Sequence, residues 1–535
     1  MGRAMSGKVR ALAIAVVLGL LAWVVGVAAP GQAAPTPAPQ PGGTLIFGRA
    51  SDAVTLDPND SPDTESTLVS GLIGDSLVRF KPGTLEVQPW LARSWQVLDN
   101  GTRWRIKLRD GVRFTDGTPV NAQAVEFTFK RMIDPNHPYN KYGKWNLALA
   151  IYEQLRDVKA VDNMTVDFVL AEPFAPFLTA LASPRGSIVS PTAVQKDPQN
   201  FFKAPVGSGP FKVVEWRKDD RIVLERNDQY WEQVPYLERV IFRVIPENSA
   251  RVLALVRGDI QAMIAIDPTS YEVLKRNAFL IVQQSPGLQH SYLAPNLLKK
   301  PFDDVRVRRA LYHAINRKAL VDNFWIGASL ARGVMPTAML GFHEGLKWPE
   351  YDPEKAKALL REAGLASGFK TSISTFDRGR SHTPEPAKAA QTIQADLAKV
   401  GIQVDINLLE INALLGDVRA ARHDMYMAGF NPLIPDAWTI MFTQFDSRRA
   451  IIGRANNFSF YRNPEYDALN DQANQAANPR IRASIYKKMQ EIIYRDAVRV
   501  DIADVDNVVA FRNVVQNLKN DPVGSFYMQY VWMKK

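Results

Sequence analysis

Residues 206–231 read VGSGPFKVVEWRKDDRIVLERNDQYW, and the glycines Gly207 and Gly209 ahead of an apolar run raise phosphate binding first. A phosphate-cradling loop needs four residues between its first Gly and a Gly-Lys-Ser/Thr, then a helix whose N-terminus faces the phosphate. Here Pro210 and Phe211 follow Gly209, and no Gly-Lys-Ser/Thr appears. A dinucleotide fingerprint needs a third glycine at position 212, which is Lys212. Gly207-Ser208-Gly209 lacks the spacing of a Gly-x-Ser-x-Gly nucleophile elbow. His343-Glu344 opens like a zinc-protease helix, but Lys347 stands where the second histidine is required. The six histidines, at 137, 290, 313, 343, 382 and 423, are scattered. Asp303, Asp304 and Asp436 could pair as acid and base, yet helix caps and turns account for them better. With no cysteine in the chain, disulfides, thiolate metal sites, iron–sulfur clusters and a cysteine nucleophile are excluded. The expectation is binding without covalent chemistry: no enzyme, no cofactor and no resident metal.

The elements around these residues read as an α/β protein. FKVVEW and RIVLER are β-rich runs separated by the polar RKDD, which predicts a hairpin entered through the Gly-Ser-Gly-Pro turn. TRWRIKL alternates polar and apolar residues, as a half-buried strand does. Asn121 is placed to cap a helix that buries Val125, Phe127 and Phe129. Asp303-Asp304 opens a helix with Val305, Val307, Ala310, Leu311 and Ala314 on its apolar side. Asp352-Pro353 opens another, which stops at Gly364. A third spans 387–400 and ends at Gly401, before the strand IQVDINLL. Helices alternating with strands imply α/β lobes.

At 535 residues the chain exceeds one core, and two or three domains are expected. A hydrophobic content of 46% with 22% charged residues is that of a globular protein. The net charge is +10, but its positives are interleaved with acids instead of gathered in a stripe, which argues against nucleic-acid binding. Three positives, Arg3, Lys8 and Arg10, precede the apolar run 11–29 and the small-residue stretch ending at Ala33. That order is a secretory signal with cleavage after Ala33; an uncleaved anchor is the other reading of the same run. Residues 34–41 then form a Pro-rich tether.

Several blocks together resemble one family. Gly207–Trp231 is similar to a Gly-Thr/Ser-Gly-Pro turn, a Lys-Val strand and a second strand ending Glu-Arg-Asn before Tyr-Trp. GGTLIFGRASDAVTLDPN, LARSWQVLDNGTRWRIKLRDGVRFTDGTPVNAQAVEFTFKRM, KPFDDVRVRRALYHAINRKALVD, IQADLAKVGIQVDI and YRNPEYDALNDQAN come in the same family's order. The chain thus resembles the bacterial extracellular solute-binding proteins of family 5, the peptide and nickel class that serves ABC importers. The resemblance runs from about Gly42 to the end.

This resemblance implies a two-lobed periplasmic binding protein fold of type II, cluster C, with an extra domain inserted in lobe I. Lobe I would comprise 42–80, 205–285 and 500–535, the extra domain 81–204, and lobe II 286–499. Peptide binders of the family line their cleft with Gly-Trp-x-x-Asp, whose Asp holds a ligand ammonium. The matching run here is Gly429-Phe430-Asn431-Pro432-Leu433. Phe430 keeps the aromatic wall, Asn431 comes next to it, and Leu433 replaces the acid. Asp436 either substitutes for that acid or caps the segment after it. Arg380, with Arg378 nearby, matches an arginine that holds a ligand carboxylate, or is a solvated loop residue. Asn296 matches an asparagine at the lobe junction, or serves a turn.

The function implied is capture of a peptide or peptide-like solute by hinge closure in the periplasm, as a monomer, with delivery to the ABC permease subunits of the inner membrane. The alternatives are a receptor of the same fold for an oligosaccharide, opine or metal chelate, and a ligand sensor without transport. A buried ammonium beside Leu433 would lack its counter-charge. The departure therefore favours solutes whose corresponding end is apolar or uncharged.

Overall fold

Gly207 and Gly209 serve a close approach of two backbones. The Gly209 amide donates to the Ile73 carbonyl at 2.8 Å, at the end of the helix Thr64–Ile73. A Cβ on Gly209 would sit 2.6 Å from the Ile73 carbonyl carbon, and one on Gly207 would meet the same carbonyl oxygen. Only glycine leaves that room. The expected hairpin comes next: Phe211–Arg217 pairs antiparallel with Arg221–Arg226.

The computed structural model describes residues 38–325 and 327–534. The expected signal segment, 1–33, and the first half of the Pro-rich tether, 34–37, lie outside the described residues. Among the described residues, no helix is long and apolar enough to cross a membrane.

One large mixed sheet organises the two-lobed body. From one edge it runs Ile402–Leu409, Phe369–Phe376, Met425–Phe430, Leu280–Pro295, Val500–Arg512, Ala262–Met263, Thr44–Arg49, Arg239–Val244 and then the hairpin. The antiparallel strands Leu280–Pro295 and Val500–Arg512 occupy its middle. Their register breaks between Ser285 and Gln289, a β-bulge of the kind that bends a strand. At the bulge a Cβ on Gly287 would overlap the Val505 carbonyl, so glycine keeps the two strands in contact.

The extra domain is a separate antiparallel sheet in the order Ala92–Leu98, Arg103–Leu108, Thr165–Leu170, Leu155–Ala160. The strand Arg103–Leu108 alternates burial as its sequence predicts, with Trp104, Ile106 and Leu108 inward. Helix Ala122–Ile133 packs on this sheet, and Asn121 caps it by accepting from the Ala124 amide at 2.9 Å. Val125 and Phe129 enter the domain core. Phe127 does not. It is half-buried on another side of the helix, against the cluster of Val189, Val194 and Phe201. The remaining helix starts agree with the sequence: Asp304 caps Val305–Ala314, and Asp352 caps Pro353–Glu362. One core cluster forms around Phe47, Phe242 and Phe211. Further cores form around Trp325 and Leu397 and around Phe445 and Tyr486.

Candidate functional site

Two strand ends carry the aromatic and arginine candidates. Phe376 closes the strand Phe369–Phe376, and the loop after it carries Arg378 and Arg380. Phe430 closes Met425–Phe430, which lies between that strand and Leu280–Pro295. Arg380 lays its guanidinium over the Phe376 ring at 5.5 Å. Its side chain is exposed, and among the described residues it makes no ion pair with a carboxylate. Arg378 points away into solvent with its side chain 90% exposed, 4.0 Å from Asp377.

His382 ties the arginine loop to the Phe430 strand. Its carbonyl accepts from Ser291 Oγ and from Trp325 Nε1, the latter at 2.9 Å, and Trp325 Nε1 also reaches Ser291 Oγ at 3.0 Å. Its ring lies against Gly429, where a Cβ would come within 2.5 Å of His382 Cβ and Cγ. Burial, and then the Arg380 cation beside it, push the His382 imidazole down to about 4, so it is neutral at physiological pH. Gly429→Ala is therefore expected to displace His382 and the loop with it. The predicted cost is roughly 1–3 kcal/mol in urea unfolding, with weakened solute binding; an unchanged midpoint would show that the ring has room to move.

Phe430 is half-buried against two core clusters, and its backbone lies opposite His290. Asn431 is exposed, and Leu433 is 41% exposed. Ile434 turns the other way and is buried in the core cluster of the extra domain. The segment after Phe430 thus links these clusters. Beside it Phe174 meets Trp438 edge-on at 4.8 Å, and the Ala175 amide donates to the Asn474 carbonyl at 2.9 Å.

Two expected ligand residues prove to be engaged in the fold. Asp436 is 2% exposed and pairs with Arg482 at 2.9 Å. It also caps helix Ala437–Phe445 through the Trp438 amide at 3.0 Å, and accepts from Tyr486 Oη at 3.1 Å and Thr179 Oγ1 at 3.4 Å. Both of its oxygens are committed to these partners. Asn296 is fully buried; its amide donates to the Ala421 and His423 carbonyls at 3.1 Å, and its oxygen accepts from the Leu298 amide. It serves a turn.

Sequence reasoning misses His382. The available signal is its position two residues after Arg380, with an Ile-Gln-Ala-Asp helix downstream. A further recess of about 90 Å³ is walled by Asp75, Arg79, Trp90, Asp521 and Tyr527. Its groups are bound to one another. Asp75 accepts from Trp90, Tyr230, Ser208 and Trp231. Arg79 stacks on Trp90 at 3.2 Å, and burial pushes the Asp521 carboxyl up to about 6.

Residues 86–450 match the family described as bacterial extracellular solute-binding proteins, family 5 Middle. The chain is 32% identical over 471 residues to the dipeptide-binding protein of Escherichia coli (strain K12), covering 85% of this chain and 88% of that one. It is 30% identical over 461 residues to the glutathione-binding protein GsiB of the same strain, covering 85% and 87%. Among solved structures, HbpA2 from Haemophilus parasuis superposes with a TM-score of 0.88 at 29% identity, over 92% of this chain and 100% of that one. The periplasmic binding protein DppA from Helicobacter pylori, in complex with the peptide STSA, superposes with a TM-score of 0.72 at 34% identity, over 93% and 99%.

Proposed function

This chain belongs to the bacterial extracellular solute-binding proteins of family 5, and from that membership we propose that it captures a small peptide or peptide-like solute with a carboxylate end and delivers it to an ABC permease. Capture occurs in the periplasm, after the signal segment 1–33 is removed, by a monomer with no cofactor and no covalent step. The observation that carries this reading is Arg380, an exposed cation that among the described residues makes no ion pair with a carboxylate, stacked over Phe376 on the loop whose His382 lies against Gly429, next to Phe430. A guanidinium fork suits a carboxylate. The names of two relatives, dipeptide-binding and glutathione-binding, support the same solute class.

Leu433 refines the choice of solute. It supplies no counter-charge, and Asp436 is held by Arg482. A solute whose ammonium is absent, blocked or exposed to solvent loses nothing there. N-blocked peptides, opine-like conjugates and peptides joined through a side chain fit better than an ordinary free dipeptide. The lobes hinge where the strands Leu280–Pro295 and Val500–Arg512 cross at their bulge, and the solute stabilises the closed state.

A thermal-shift screen of the chain from Ala34 tests this reading. The panel holds di- and tripeptides, N-acetylated peptides, glutathione, opines, oligosaccharides and nickel chelates. A ligand of the folded state alone raises the melting temperature. Shifts by carboxylate-bearing peptide-like solutes are expected; shifts confined to neutral oligosaccharides would overturn the solute class.

A further inference from the structure

His290 sits on the strand Leu280–Pro295 just beyond the bulge, fully buried. In the sheet it lies opposite Asp504 on one side and Phe430 on the other. Both ring nitrogens face carboxylates: Nδ1 lies 2.7 Å from Asp504 Oδ1, and Nε2 lies 2.8 Å from Asp501 Oδ1. A neutral imidazole donates from one nitrogen only and would turn a lone pair on the other carboxylate. An imidazolium donates from both. Arg499 Nε binds Asp501 Oδ1 at 2.7 Å, so guanidinium, carboxylate, imidazolium and carboxylate alternate and cancel. Losing the imidazolium proton would leave a net negative charge in the interior, which is costly.

We propose that His290 is held as an imidazolium between Asp501 and Asp504, and that this ionic brace fixes the two crossing strands at the hinge and, through them, the Phe430 strand. His290 is a positioning residue for solute capture; that last link rests on the function proposed above. The surrounding charged groups act in both senses, the arginines opposing the imidazolium and the carboxylates favouring it. Arg499 stacks over Tyr292 at 4.1 Å, and Tyr292 in turn stacks on His290 at 6.4 Å. Arg317 donates to the Asp501 carbonyl at 2.9 Å. Asp506, further along the strand, adds one more negative charge near Asp504. Burial by itself disfavours the charged ring, but the hydrogen bonds to Asp501 and Asp504 outweigh it and hold the imidazole above the ordinary value of 6.5.

A folded value above the unfolded one gives stabilisation that is complete below about 6.5 and is lost as pH rises through the folded value. Two measurements on the ligand-free chain test the brace. In ¹⁵N-histidine NMR, one imidazole is expected to carry protons on both nitrogens at pH 7.5, and to vanish in His290→Gln. In hydrogen exchange, peptides within 280–295 and 500–512 are expected to lose protection as that proton leaves. After correction for intrinsic rates, the loss is about tenfold for each pH unit by which the proton outlasts an ordinary histidine. His290→Gln should exchange fast with no step. Asp504→Asn, which removes one carboxylate, should move the step to lower pH. A His290 signal titrating near 6.5 with flat protection would overturn the proposal, as would protected strands in His290→Gln. Neither reading needs a solute, so a failed solute screen leaves them interpretable. If a solute is found, its affinity should fall along the same pH step.

Discussion

Asp436→Ala is expected to destabilise the chain by about 4 kcal/mol, because removing one member of a buried ion pair leaves the other charge uncompensated. Arg482 would be that stranded charge, with its side chain 6% exposed. A further ~1 kcal/mol comes from the lost N-cap of helix Ala437–Phe445. Thr179 also loses its acceptor, so the extra domain's grip on this segment weakens. Urea unfolding monitored by circular dichroism measures the loss as a lowered midpoint. The double substitution Asp436→Ala, Arg482→Met should recover most of the ion-pair cost, since an apolar replacement of both partners is often neutral. If Asp436 instead served a ligand ammonium, Asp436→Ala would keep its midpoint and lose solute affinity.

Arg380→Ala is expected to do the opposite: leave the midpoint within about 0.5 kcal/mol of the parent, as exposed positions do, and weaken binding of a carboxylate-bearing solute. A hydrogen bond to a charged group contributes about 1.5–3 kcal/mol, which is roughly 10- to 150-fold in affinity. Arg380→Lys should recover only part, because it keeps the charge and loses the planar fork. A solute with its carboxylate amidated should bind weakly to the parent and equally weakly to Arg380→Ala. That coincidence identifies the interacting pair.

Much of this architecture is legible in the sequence. Alternation marks the strand Arg103–Leu108, and the acids before Val305–Ala314 and Pro353–Glu362 are the caps found. These features are local, and local chemistry decides them. Spacing separates the glycine pair from phosphate loops, but the reason for the pair, the backbone of Ile73, lies far away in sequence. The same holds for Asp436. Its neighbourhood reads as a turn, and only the fold brings Arg482 and Tyr486 to it. His382 sits in a polar loop, and its contacts come from Ser291, Trp325 and Gly429 on other elements. His290 reads as one of several scattered histidines because its carboxylate partners lie more than two hundred residues away. Periodicity misplaces Phe127 because a helix next to two clusters can bury more than one face.

The most direct measurement is a calorimetric titration of one peptide-like solute in three forms: free, N-acetylated and C-amidated. The account predicts that the N-acetylated form binds at least as tightly as the free form, because Leu433 offers no charge to an ammonium. It predicts that the amidated form loses at least about tenfold, because Arg380 loses its carboxylate. Tight binding of the amidated form together with loss on acetylation would contradict it, and would place the site's charge selectivity on an acid that this account assigns to the fold.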